Sequence, residues 1–252
     1  MIPVEIAIAV CIYIFILGDG ANFQGGDHNN HPLPGNYLGI VYKGGPIVPI
    51  LISLLLLVIT FGIERFITIR MAAGKGNTQG FIRKIKNLME AGNVDQAIAE
   101  CDKQKGSVAN VVKAGLSKFS ELTKNTSIEV DKRILLIQKD IEETTQLEMP
   151  MMQKNLVIIA TIVSIATLLG LLGTVFGMIK SFAALATAGA PDSVALANGI
   201  SEALINTALG IATSTIAIIF YNFFTSKIDA LTYGIDEAAF SIVENFTAQA
   251  KV

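Results

Sequence analysis

Charged residues are distributed unevenly along the chain, and the gaps between them predict its elements. Three runs contain no Asp, Glu, Lys or Arg: Gly44 to Ile63 (20 residues), Asn155 to Ile179 (25) and Ala203 to Ser226 (24). A membrane-spanning helix needs about 20 predominantly apolar residues, so each run predicts one. A fourth run, Ile6 to Gly18, has 13 residues. That is short for a span and closer to an interfacial helix or a signal-peptide core. Glu5 precedes it, with no Lys or Arg, so it is read as a retained apolar helix rather than a cleaved leader.

Between the first and second runs the pattern becomes helical and amphipathic. Phe81, Ile82, Ile85, Leu88 and Met89 share one face, and Gly92 ends that helix. Asn93 with Gln96 has the spacing of a capping box opening Val94 to Asp102. Ser107 to Leu122 forms the next helix. Val130, Ile134, Ile137, Ile141 and Leu147 then carry a stripe predicted to run straight into the second span, broken at most by a kink at Pro150. Such a stalk would couple the polar layer rigidly to the membrane.

Composition and charge add orientation. The 252 residues are 52% hydrophobic and 16% charged, with mean hydropathy +0.55, well outside the soluble range. The net charge of −2 gives no basic balance of the kind that binds nucleic acid. Of 19 Lys and Arg residues, 15 lie between Arg65 and Lys154. The positive-inside rule therefore places 65–154 and the C-terminus in the cytoplasm, with 19–43 and the turn near Gly189 to Asp192 outside. Cys11 and Cys101 fall on different sides, so no disulfide joins them. The expected fold is an all-α integral membrane protein with three transmembrane helices, a short N-terminal apolar helix, and long helices extending into a helical cytoplasmic region. Its divisions are 1–43 (N-terminal helix and outer loop), 44–64 (first span), 65–154 (cytoplasmic region), 155–226 (membrane hairpin) and 227–252 (cytoplasmic C-terminal helix).

Candidate chemistry concentrates in the hairpin. The cytoplasmic segment has one cysteine, no histidine and no phosphate-binding glycine motif, so neither an enzyme nor a nucleotide or other cofactor is expected. His28 and His31 have spacing that could serve a metal, but a solvated loop is the preferred reading and no metal is expected. In the second span Ala160, Thr167, Thr174 and Ser181 recur every seven residues with Ser164, Gly170 and Gly177 between them. In the third, Ala203, Thr207, Gly210, Ser214 and Ala217 follow the same pattern. Simple helix packing accounts for the small residues. It does not account for Glu202, the sole acid between Ser193 and Ser226, or for Asn206 one turn later.

An intramembrane carboxyl normally faces a cavity, partner or pathway, and it can take up and release a proton. Asn206 is placed to hydrogen-bond it. With a turn near residue 190, Thr174 and Thr207 lie about 24 and 26 Å from it at 1.5 Å per residue, at similar depth. Lys180 lies near the level of Glu202. Snorkelling of Lys180 to the outer headgroups is the favoured reading, and an ion pair with Glu202 is the competing one.

Leu169 to Met178 (LGLLGTVFGM) and Ser201 to Gly210 (SEALINTALG) together resemble the paired signature of the MotA/TolQ/ExbB proton-channel family, most of all its ExbB branch. Glu64-Arg65, the helical insertion and Pro150 extend the resemblance over about residues 44–235. It implies a subunit of a bacterial inner-membrane motor driven by the proton gradient. Several copies, five in the ExbB pattern, would form a ring around two copies of a single-span ExbD-type partner, each bearing a membrane aspartate. Movement would pass through a TonB-like protein to outer-membrane transporters. By motif position, Thr174 and Thr207 would be pore hydroxyls facing that aspartate, and Glu202 the acid of the third span. Asn206 joins this proposed pathway, and Thr167, Gly170, Gly177, Ser181, Gly210 and Ser214 form a pore-facing small and polar stripe. The chain departs from the family pattern in its long apolar N-terminal region and in Lys180, whose position suggests a neutral polar residue. A TolQ-like, gliding or secretion motor and a structural membrane scaffold are the alternative readings.

Overall fold

The computed structural model describes residues 2–28, 30–125, 127–187 and 193–250. The turn expected near Gly189 to Asp192 lies outside them. In chain order the helices are α1 (Ile2–Cys11, continuing as a π-helical segment to Leu17), α2 (Tyr37–Tyr42), α3 (Val48–Ala73), α4 (Thr78–Glu90), α5 (Val94–Gln104), α6 (Gly106–Lys124), α7 (Val130–Gln153), α8 (Leu156–Thr187) and α9 (Ser193–Ala250). Among the described residues no strand forms, and Phe23 and Pro32 make an isolated bridge. Three helices are long and apolar enough to cross a membrane. The chain is an all-α, multi-pass membrane protein.

Contacts divide the chain into two compact units, Met1–Ile63 with Val157–Tyr221, and Glu64–Leu156 with Asn222–Val252. In the first, the segment ahead of α3 is held by side-chain amides. Asn22 donates to the carbonyls of Ile16 (2.8 Å) and Leu17 (3.1 Å), and Asn36 caps α2 by accepting from Leu38 and Gly39 N–H. Tyr13 stacks on Tyr42 at 4.7 Å between centroids and donates its hydroxyl to the Tyr42 carbonyl.

In the second unit the amphipathic pattern becomes a helical core. Phe81, Ile82, Ile85 and Met89 are buried along α4, and Gly92, at φ 72, follows its end as expected for a left-handed C-terminal glycine. A Cβ on Gly115 would lie 2.6 Å from the Ile141 side chain, so any larger residue there would require Ile141 to shift. Phe119 meets Phe246 edge to face at 5.1 Å. Together these apolar faces supply the hydrophobic driving force, at about 25 cal/mol per Å² removed from water.

Three sequence expectations are corrected in this unit. Asn93 precedes α5 but its side chain makes no cap hydrogen bond. Leu147, expected on the α7 stripe, is 80% exposed. The predicted unbroken stalk does not exist: α7 ends at Gln153, and Lys154 (ψ 140) and Asn155 (φ 64) turn the chain before α8. Pro150 stays inside α7, where its carbonyl accepts the Lys154 N–H at 3.0 Å. Asparagine tolerates the left-handed backbone that stops the helix, a preference invisible to hydrophobic periodicity.

Candidate functional site

The small residues of α8 and α9 bring the two backbones into contact. A Cβ on Gly170 would lie 3.2 Å from the Gly210 Cα and 3.3 Å from the Thr207 Cα, and one on Gly177 would lie 2.7 Å from the Gly199 carbonyl oxygen. Hydroxyls stitch the same seam: Thr207 donates to the Gly170 carbonyl at 3.2 Å, Ser214 to that of Val163 at 2.7 Å, and Ser181 to that of Leu196 at 3.3 Å. Gly170, Gly177, Ser181 and Gly210 are buried. The stripe expected to face a pore is thus largely consumed within one hairpin. Without bulky side chains, interhelical van der Waals contact and hydrogen bonds drive association in lipid. Thr167 is half-buried and donates within α8 to Val163.

Thr174 is half-buried and donates to the Leu171 carbonyl at 2.6 Å. Gly173 lies against the Asn206 side chain, with a Cβ there 2.4 Å away. Thr174 and Thr207 each follow one member of that contact on antiparallel helices, so they differ in level by about 3 Å. The expected similarity of depth therefore follows from the observed register.

Glu202 lies near the start of α9, and here the polar partners differ from those expected. Lys180 does not reach away from it: its ammonium donates to Glu202 Oε2 at 2.8 Å. Pairing satisfies two charges that would each be costly alone, and this outweighs snorkelling. Asn206 does not bond Glu202 but donates to the Gly44 carbonyl at 2.8 Å. It is 1% exposed, and its Oδ1 has no hydrogen-bond partner. Gly45, at φ 76, covers Glu202, since a Cβ there would lie 2.4 Å from Oε1. The two glycines opening the first span are therefore part of the Glu202 and Asn206 site. Their signal in the sequence is a Gly-Gly-Pro break, which by itself names no partner.

A second polar centre lies in the other unit. Arg65 is 1% exposed and donates through Nη1 to the carbonyls of Met151 (3.0 Å) and Met152 (3.1 Å). These are among the orphan carbonyls at the end of α7, where a cation also meets the negative end of the helix dipole. Arg65 Nε donates to Glu64 Oε2 at 2.8 Å, and Asn155 donates to the same oxygen at 3.1 Å. The acid, the arginine and the left-handed asparagine thus hold the α7 to α8 junction. Glu5, which only flanked the short Ile6 to Gly18 run in the sequence, is 6% exposed with Oε2 unpartnered. His28 places its ring edge-on to Tyr42 at 5.9 Å. Among the described residues, no three His, Cys, Asp or Glu side chains gather to hold a metal ion.

The described helices thus make a multi-pass helical membrane protein whose hairpin carries hydroxyls and a Lys180–Glu202 ion pair. Residues 103–237 match the model of the MotA/TolQ/ExbB proton channel family, and the chain belongs to that family. The Tol-Pal system protein TolQ of Pseudomonas aeruginosa is 32% identical over 124 residues, 49% of this chain and 54% of that one. The biopolymer transport proteins ExbB of Pseudomonas putida and Salmonella typhimurium are 35% and 33% identical over 86 and 85 residues, 34% of this chain in each case and 26% and 35% of theirs. The chain thus spans about half the length, or less, of these relatives.

Proposed function

We propose that the chain is the ring-forming subunit of an inner-membrane motor driven by the proton-motive force, of ExbB type. With two copies of an ExbD-type single-span partner it energises TonB-dependent outer-membrane transport, and a pentamer is the expected assembly. The observation that carries this reading is the hairpin. Thr174 and Thr207 lie at nearly one level, while the sole acid of the third span is already engaged by Lys180. Among the described hairpin residues Glu202 is the only acid, which supports a titratable carboxyl supplied at that level by another chain. Leu168, Leu172, Val175, Phe176 and Ile179 are exposed on α8 and suit contact with lipid or further copies. One charge crossing 100 mV releases about 2.3 kcal/mol, enough to drive a conformational step.

The relative named TolQ supports a second reading, a TolQ-type subunit acting on the cell envelope. The deciding experiment is genetic. In a deletion strain complemented with Thr207→Val, the proposal expects a complex of native size and loss of TonB-dependent uptake. Uptake at wild-type rates in Thr207→Val and Glu202→Gln cells rejects the proton-path assignment and leaves the scaffold. A deletion strain with intact uptake but leaking envelopes transfers the role to the TolQ type.

A further inference from the structure

A cavity of about 600 Å³ opens in the second unit, among the later turns of α3, the start of α4 and the stretch of α9 from Phe223 onward. Its wall is two-natured. One part is apolar, formed by Phe66, Ile69, Ile82, Phe223 and Leu231. The other carries Arg70, Arg83 and Lys227 against one acid, Glu237. Arg70, Arg83 and Lys227 are exposed, and none of them makes a salt bridge among the described residues. The Lys227 ammonium instead lies 5.7 Å from the Phe223 ring centroid.

The position along the helices is informative. Lys227 follows directly on Ser226, the last residue of the third charge-free run, and Arg70 comes seven residues, about 10 Å, after Ile63, which closes the first. Cations just beyond a membrane span lie near headgroup level, and Phe66, Ile69 and Phe223, which precede Arg70 or Lys227 on the side of the spans, are placed to accept an acyl chain.

We infer that this cavity binds an anionic phospholipid of the leaflet facing the basic 65–154 segment, with Arg70, Arg83 and Lys227 around the phosphate and the apolar wall against an acyl chain. The charge excess of the site selects an acidic headgroup over a zwitterionic one. This inference rests on the membrane-spanning fold and is independent of what the motor drives.

The test is native mass spectrometry of the full chain, purified with its native assembly in mild detergent and titrated with phosphatidylglycerol or phosphatidylcholine. The expected result is retention of phosphatidylglycerol over phosphatidylcholine by about tenfold, lost in Arg83→Gln/Lys227→Gln and partly lost in each single variant. Lys103→Gln/Lys118→Gln, which neutralises two lysines outside the cavity, leaves it unchanged. The single variants alter exposed side chains, so they report even if the double variant fails to fold. Equal retention of both lipids overturns the inference. Displacement of the lipid by millimolar inorganic phosphate makes this a free-phosphate site and overturns it. A change in oligomer mass without a change in lipid retention assigns the face to contact between copies and also overturns it.

Discussion

Lys180 and Glu202, 22 residues apart in sequence, form an ion pair at 2.8 Å in which the lysine side chain is 71% exposed and the glutamate 13%. The asymmetry sets the roles. The lysine retains access to surroundings beyond the fold, whereas the glutamate depends on it. Lys180→Met is therefore expected to destabilise the protein by about 1–3 kcal/mol, below the full cost of breaking a buried pair because one partner is exposed. Glu202→Gln is expected to cost less, and Lys180→Met/Glu202→Gln to recover most of the loss. Thermal unfolding in detergent checks all three. A double variant no more stable than Lys180→Met shows that the pair is not what stabilises the site.

Backbone contact at the hairpin makes Gly210 sensitive. An added Cβ would lie 2.6 Å from the Ala166 carbonyl oxygen and 2.9 Å from the Gly170 Cα, both backbone atoms that cannot rotate away. Gly210→Val forces the helices apart at a cost of about 1–3 kcal/mol. Gly80, where a Cβ meets nothing nearer than 3.9 Å, is the contrast. Gly80→Ala should stabilise α4 by about 0.5–1 kcal/mol, since only conformational entropy is at stake. Chemical denaturation of the two variants side by side measures the difference.

Arg65 cannot be replaced by lysine without loss. Nη1 of one planar guanidinium donates to two carbonyls while Nε donates to a carboxylate, a fork that a single ammonium does not reproduce. Arg65→Ala is expected to cost about 1–3 kcal/mol by leaving the Met151 and Met152 carbonyls unpaired, since Glu64 at 37% exposure keeps access to other partners. Arg65→Lys should recover only part of this. Protease resistance at the α7 to α8 junction gives a direct measure. Asn155→Gly should retain the junction better than Asn155→Val, because φ 64 is strained for a β-branched residue.

Cys101 is 2% exposed, and burial first, then the neighbouring Asp102, pushes its thiol from 9.0 up to about 12. It should resist maleimide at pH 8 in the folded protein and react once unfolded, as mass labelling would show. The sign of the pH effect follows. The unfolded thiol ionises above 9.0 while the folded one holds its proton to about 12. This group therefore leaves stability unchanged below pH 9 and lowers it as pH rises through that window. Cys101→Ala should remove that part of the alkaline slope.

Much of the α4 to α7 core was legible, because one helical face repeats every 3.6 residues whatever it packs on; Phe81, Ile82, Ile85 and Met89 follow the pattern residue by residue. The same reasoning failed at Leu147 and at the supposed stalk, since a stripe shows where apolar residues lie and not whether a partner reaches them. In the hairpin the small residues and the levels of Thr174 and Thr207 were readable from spacing. Their direction was not: glycines suit close packing within one hairpin and between chains equally well, and only the contacts of Gly170 with Thr207 and Gly210 distinguish the two.

By itself the sequence determined three runs long and apolar enough to span, the concentration of basic residues between the first and second, and an acid, Glu202, at the edge of the third that calls for a partner. These are one-dimensional properties, set by how many apolar residues cross a bilayer and by the cost of charge within it. Only the tertiary structure decided the partners: Lys180 for Glu202, Gly44 for Asn206 across 162 residues, and the end of α7 for Arg65. A hydrogen bond needs its atoms within about 3 Å and in line. Residues equally near in depth compete for each donor, and the fold alone brings one of them into reach.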